Sequence, residues 1–269
     1  MYNNEFEIID TQDKAYLLGL FYADGCVTEF YRKNKTYTST GCSLALDKAD
    51  AELLNEIKLA FPFFKMYEHN CGRSLCIKVT SKKTYVDLVN NGCLPRKSVD
   101  NRYNLHLPEI SEELLPHFIR GYFDGDGGCT LSYSSNKTQK RVYIYSTSPQ
   151  LLEEITQFLE RKGIKTTMDN GHNPGILCYK LTIAARSYQD FYNLIYQNAH
   201  LKMRRKYDKF DEILKTNFFV QKEAPSCKFC GSSNTVCDGY DTYKIVRQRY
   251  LCKDCKRHFS ASVKSNSNS

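Results

Sequence analysis

The sequence predicts an α+β protein made of two tandem copies of one unit, each reading helix, two strands, helix, two strands, helix, followed by a small cysteine-rich module. Three observations predict it. Residues 17–25 (LLGLFYADG) and 119–127 (IRGYFDGDG) are near-copies, apolar helical segments that run into an acid and a glycine, with Asp24 and Asp126 offset by 102 residues. Further matches hold that spacing: Ile77-Lys78-Val79-Thr80 answers Tyr179-Lys180-Leu181-Thr182 at 102, and Tyr85-Val86-Asp87-Leu88 answers Tyr188-Gln189-Asp190-Phe191 at 103. Lastly, Cys227-x-x-Cys230 and Cys252-x-x-Cys255 stand 21 residues apart near the end of the chain. The expected division is repeat 1 over 1–108, repeat 2 over 109–216, a linker over 217–226, the cysteine module over 227–260 and a disordered Ser/Asn-rich tail over 261–269.

The elements follow in order. The first motif helix has Asp10 or Thr11 as its N-cap. Strands are expected over 26–33 and 37–46, an amphipathic helix over 50–60, and strands over 63–69 and 74–80. The second motif helix starts at Pro116, which suits a first turn, after a turn opened by Ser111-Glu112-Glu113. Its strands fall at 128–134 and 141–147, a helix at 149–162 stopped by Gly163, and strands at 165–169 and 177–184. In the last strand Leu177, Tyr179, Leu181 and Ile183 share one face, leaving Lys180 and Thr182 on the other.

With 269 residues, 41% of them hydrophobic and 25% charged, the chain can fill and cover a sizeable core, and its net charge of +8 suits a polyanionic partner. The first ten residues lack an apolar run, and no segment approaches the length of a membrane span, so no signal peptide and no membrane partner are expected. The expected location is a reducing cytoplasm of bacterial or phage type, where twelve cysteines read as free thiols plus a metal site.

Taken singly, an Asp-Gly at a helix end is an ordinary stop signal. Duplication changes the reading. Gly19 and Gly121 lie mid-helix, where glycine costs about 1 kcal/mol relative to alanine, and a close approach of the two helices accounts for both. Ala23 and Gly125 lie four residues on along the same face. If those faces meet, Asp24 and Asp126 become neighbours at two helix C-termini, a repulsive arrangement that a divalent cation neutralises. Oxygen ligands with open positions favour Mg²⁺, and Mg²⁺ beside a phosphodiester assists hydrolysis.

The paired motifs and the element order after them resemble the two-repeat, single-chain LAGLIDADG homing endonucleases over about residues 10–215. The resemblance implies pseudo-symmetric repeats whose motif helices form their interface, and two four-stranded antiparallel sheets that saddle the major groove of double-stranded DNA. It also implies Mg²⁺ on Asp24 and Asp126, a long asymmetric target site, and action as a monomer. A basic residue near each scissile phosphate maps loosely to Lys97 and Lys206, with Arg204 and Lys202 as alternatives to the latter. The family's earlier motif acid is present as Asp124 but replaced by Tyr22 in the first copy; that position is not the metal ligand. Groove-facing candidates are Lys78, Lys180, Arg141, Tyr143 and Tyr145, although alternation leaves open whether the two tyrosines are buried. Intron RNA is a second possible partner, through a maturase role, and a non-catalytic DNA-binding regulator is a third reading; retention of both acids favours cutting.

Cys227, Cys230, Cys252 and Cys255 have the spacing of a four-thiolate Zn²⁺ site, and so short a segment needs the metal to fold. The segment around Arg249, Lys256 and Arg257 resembles zinc ribbons of mobile-element DNA-binding proteins, which implies backbone contacts to DNA; a protein partner is the alternative. Cys26, Cys42, Cys71, Cys76, Cys93, Cys129 and Cys178 are read as small buried hydrophobes, and Cys237 as a non-ligand.

Overall fold

The computed structural model describes residues 6–31, 38–69, 71–97, 104–134, 137–171, 177–216, 225–241 and 247–261. The linker, apart from Pro225 and Ser226, and the tail beyond Ala261 lie outside them. The first half runs α1 (Gln12–Ala23), β1 (Gly25–Tyr31), β2 (Thr38–Asp47), α2 (Ala51–Ala60), β3 (Lys65–His69), β4 (Ser74–Val79) and α3 (Lys82–Asn90). The second repeats the order as α4 (Leu115–Asp126), β5 (Gly127–Ser134), β6 (Lys137–Ser146), α5 (Pro149–Arg161), β7 (Thr166–Gly171), β8 (Cys178–Ile183) and α6 (Tyr188–Tyr196), then adds α7 (Arg204–Lys215). Three short strands, β9 (Thr235–Asp241), β10 (Arg247–Cys252) and β11 (His258–Ala261), make a separate sheet. The chain divides into two compact units, residues 1–129 with 141–214, and residues 130–140 with 215–269.

The two larger sheets have the same topology, β1-β2-β4-β3 and β5-β6-β8-β7, with antiparallel pairings. Each is half-covered. Ile77 and Val79 in β4, and Leu181 and Ile183 in β8, are buried, whereas Lys78, Lys180 and Thr182 alternate with them on the open side. Tyr179, expected to share the covered face, is only half-buried, and Leu177 precedes β8 and is exposed.

Thr11 caps α1, its hydroxyl accepting from Lys14 N at 3.3 Å, while Asp10 instead pairs with the Lys14 ammonium at 2.8 Å. Pro116 sits in the first turn of α4, as its missing N–H predicts. Every residue of α1 from Ala15 to Tyr22 is buried, so the helix is surrounded rather than laid on a surface. Its neighbour is α4, and glycine permits the approach: a Cβ on Gly19 would lie 2.0 Å from Phe118 O, and one on Gly121 would lie 1.9 Å from Tyr16 O. Backbone meets backbone at both places, so no side chain can move aside. The contact continues to the helix ends, where a Cβ on Gly125 would lie 2.2 Å from Ala23 Cβ.

Of the lone cysteines, Cys42, Cys93 and Cys178 are buried and Cys76 and Cys129 half-buried, but Cys26 and Cys71 are exposed. Cys26 follows Gly25 on an alternating strand whose neighbour Val27 takes the core side, and Cys71 lies in a turn with φ 51°. Neither position offers the core that the sequence reading assumed for them.

Candidate functional site

Asp24 is the C-cap of α1, its N–H donating to Leu20 O at 2.9 Å, and Asp126 is the last residue of α4. The close packing of the two helices brings the acids to one place. A Cβ on Gly125 would lie 3.2 Å from Asp24 Oδ2, so the Asp24 carboxylate sits over the residue preceding Asp126. Burial pushes the Asp126 carboxyl up to about 6, and the negative charge of Asp24 adds to the rise; Lys97, Lys206 and a hydrogen bond with Tyr122 oppose it. Asp24 is solvent-exposed at its edge, yet partial desolvation raises it as well, against the pull of Lys97, Lys206 and Arg205.

Lys97 and Lys206 reach the ends of the two motif helices by different routes. Lys97 comes from the turn after α3 and donates to Phe21 O (2.9 Å), Tyr22 O (2.6 Å) and Ala23 O. Lys206 comes from the first turn of α7 and donates to Phe123 O (3.0 Å), Gly125 O (2.7 Å) and Gly127 O (2.6 Å). Each ammonium thus spends three N–H donors on the carbonyls at the end of one motif helix, where the helix dipole favours a cation. Burial lowers both lysines from their ordinary range, partly offset by the nearby acids. The alternatives to Lys206 are otherwise engaged: Arg204 pairs with Glu52 at 3.4 Å, and Lys202 lies 5.3 Å over the Tyr207 ring.

Asp124 is fully buried and serves the scaffold. It accepts from Tyr16 Oη (2.9 Å), Tyr196 Oη (2.6 Å) and Met203 N (2.7 Å), which ties α1, α6 and the approach to α7 onto α4. Arg120, one turn earlier and equally buried, donates to Leu201 O and Ile195 O at 2.9 and 3.0 Å. In the first copy Tyr22 donates to Asn91 O at 2.8 Å instead. A neutral hydroxyl there anchors the following segment without a buried charge, so the departure at Tyr22 leaves the paired acids untouched. The Arg120–Asp124 network and the bond from Tyr122 to Asp126 are absent from the sequence reading. The four-residue spacing of Tyr122 and Asp126 on one helix was the available signal for the latter.

The charge at the site fits a divalent cation. Two carboxylates lie together, both raised by desolvation and Asp126 also by the charge of Asp24, while the two lysines that offset them are turned to backbone carbonyls. Oxygen donors of this kind suit a hard cation.

On the open face of the second sheet, Tyr143 and Tyr145 are half-buried with rings 5.1 Å apart, and Arg141 is exposed beside them. Tyr143 pairs with Thr182 and Tyr145 with Lys180, so these side chains form one surface; Val142 and Ile144 take the core side. Lys78 holds the matching place in the first sheet, opposite Ser43 and Lys65.

The four cysteines of the terminal module converge, with all ligand atoms within 4.8 Å of one another and sulfur pairs Cys227–Cys255 and Cys230–Cys252 each at 3.6 Å. The two knuckles are built alike. Gly231 N donates to Cys227 O and Lys256 N to Cys252 O, at 2.8 and 2.9 Å, and both donors have left-handed backbones, φ 74° and 60°. Among the described residues, the core besides the thiols is Phe259 stacked on Tyr250 at 5.5 Å, too little to fold without a metal. The cluster fits a zinc ribbon. Of the basic residues expected to face DNA here, Lys256 and Arg257 are exposed, but Arg249 is held by Asp238, its Nε donating to the Asp238 carbonyl at 3.0 Å and its guanidinium 3.2 Å from the carboxylate.

Residues 113–196 match the model of the LAGLIDADG-like domain family. An uncharacterized protein of Methanocaldococcus jannaschii is 23% identical over 163 residues, covering 58% of this chain and 56% of that protein. The replication factor C small subunit of Thermococcus kodakarensis is 27% identical over 178 residues, 66% of this chain but 18% of that protein. The chain therefore spans about half of the first curated relative and under a fifth of the second. Among solved structures, the homing endonuclease I-DmoI in complex with DNA and Ca matches with a TM-score of 0.52 at 18% identity, over 79% of this chain and 100% of its own. The meganuclease I-SmaMI bound to uncleavable DNA matches with a TM-score of 0.52 at 14% identity, over 74% of this chain and 88% of its own. The duplicated helix-strand order, the helix-end acids and the match of residues 113–196 to a LAGLIDADG-like domain agree, and the chain has the two-repeat fold of the single-chain LAGLIDADG homing endonucleases.

Proposed function

We propose that the chain is a site-specific endonuclease that hydrolyses both strands of DNA with Mg²⁺ held by Asp24 and Asp126. The observation that carries this reading is the meeting of the two carboxylates at the adjoining ends of α1 and α4. A bound metal ion supplies water activation and neutralises charge on the phosphate. The chain's own residues do the rest. Gly19 and Gly121 set the helix separation, and Lys97 and Lys206 fasten the helix ends that carry the acids. The lysines also add two positive charges within the field of the reacting phosphate. Arg141, Tyr143, Tyr145, Lys78 and Lys180 line the open sheet faces, which read the major groove. Two non-identical faces imply a long asymmetric site, and one chain holding both implies action as a monomer. Zn²⁺ on Cys227, Cys230, Cys252 and Cys255 holds the terminal module together. The matched I-DmoI and I-SmaMI structures, solved with DNA, support the same reading.

The test is incubation of the full chain with plasmid carrying its own coding locus and flanks, with Mg²⁺ and with EDTA. A linear product only with Mg²⁺ is expected, and Asp24→Asn and Asp126→Asn should each abolish it while still retarding the DNA. Lack of a metal-dependent cut, or normal cutting by either variant, overturns the assignment.

A further inference from the structure

The terminal module carries a surface that the cleavage reading leaves unused. Lys228 and Lys253 each follow the first cysteine of a knuckle, and Lys256 and Arg257 follow the second; all four are exposed. Among the described residues, no ion pair joins any of them to a carboxylate. Asp254, the acid nearest in sequence, is occupied within the module, accepting from Ser232 Oγ at 2.5 Å and Asn234 Nδ2 at 2.8 Å. Between two of them stands Phe229, 48% exposed, with Lys228 Nζ 5.1 Å and the Arg257 guanidinium 5.3 Å from its ring centroid. The ring holds two cations in place by its quadrupole instead of by a competing anion.

A second observation points the same way. The two knuckles have one backbone, and the left-handed position filled by Gly231 in the first is filled by Lys256 in the second. A side chain is strained there, and glycine relieves the strain at no loss of packing. A lysine at that position adds a charge to the patch at a conformational cost, which a ligand for that charge accounts for.

We infer that Lys228, Phe229, Lys253, Lys256 and Arg257 form a docking surface for the sugar-phosphate backbone of duplex DNA. The cations take phosphates and the phenyl ring lies against the deoxyribose edge. Arg249, fastened to Asp238, is outside it. This inference rests on reading the chain as a DNA-binding protein, and it assigns the module a sequence-independent share of that binding.

The experiment uses the full zinc-loaded chain and a fluorescein-labelled duplex of arbitrary sequence, with affinity measured across a range of NaCl concentrations. Each lost phosphate contact lowers the slope of log K against log salt by about 0.9. The triple variant Lys228→Gln, Lys256→Gln, Arg257→Gln should therefore lose about 2 to 3 in slope while keeping its zinc. Lys256→Gly should lose about 1 in slope while the module becomes harder to unfold by chelator, a combination that a structural role for the lysine does not produce. Phe229→Ala should weaken binding with little change in slope. An unchanged slope in the zinc-loaded triple variant overturns the inference and leaves a protein partner for the module. Failure of the parent chain to bind any duplex would instead overturn the broader DNA reading.

Discussion

In the first repeat Tyr22 packs edge-on against Phe118 of α4, with ring centroids 4.9 Å apart; in the second, the matching pair is Asp124 and Tyr16, joined by a hydrogen bond of 2.9 Å. The pairs occupy the same positions on the two motif helices and exchange an aromatic contact for a buried charge. Backbone requirements did not relax in the same way, since both helices keep a glycine where they cross. Close helix approach is thus the strict condition, while the side chains beside it are free to differ if each hydroxyl or carboxylate finds its partners. It also makes the repeats unequal. Tyr22 anchors one carbonyl, whereas Asp124 gathers three donors and stands near the buried cation Arg120.

Breaking the second pair should therefore cost most. Asp124→Ala strands two phenols, an amide and Arg120, and should lose about 3 to 5 kcal/mol of stability; urea unfolding of the purified chain measures it. Tyr22→Phe is the control and should lose only about 1 kcal/mol. If the two variants prove equal, the asymmetry described above has no energetic content. Next comes the crossing point. Gly19→Ala and Gly121→Ala should each lose about 1 to 3 kcal/mol, and by nearly the same amount, because both glycines face a backbone carbonyl. On the proposed function, both should also slow DNA cleavage, by parting Asp24 from Asp126.

The smallest effect concerns the paired acids themselves. Asp126 titrates near 6 in the folded chain, against about 3.9 for a free aspartate. A raised carboxyl adds stability that is present at low pH and lost as pH rises from about 4 through 6. In EDTA, Asp126→Asn should thus be more stable than the parent at pH 7, by about 1 kcal/mol after allowance for its partial exposure, and the difference should vanish below pH 4. Urea midpoints at the two pH values decide it, and added Mg²⁺ should restore the parent.

Much of the architecture was legible because it is periodic or repeated. The offset of 102 residues announced two equal units, alternation in residues 141–145 marked a half-covered strand, and Cys-x-x-Cys spacing announced a four-thiolate cluster. Strand limits agreed to within a few residues. Other features depend on where a side chain ends after several rotatable bonds. Chain neighbourhood alone points to Lys97 and Lys206, but their donors turn to helix-end carbonyls rather than outward. Cys26 and Cys71 are exposed because strand alternation and a left-handed turn put them there. The added helix α7, which carries Lys206 into the core, has no counterpart among the described residues of the first half.

The duplication, the pairing of an acid with each glycine-bearing helix, and the four-cysteine set of the terminal module are matters of residue type and spacing, and so are read directly from the chain. That Asp24 and Asp126 meet, that Asp124 belongs to the scaffold, that Tyr143 and Tyr145 take the open face, and that Arg249 is engaged are outcomes of the fold. Each of those depends on groups far apart in the chain reaching hydrogen-bond or van der Waals distance, and such meetings follow from the packing of whole helices and sheets, not from any local pattern.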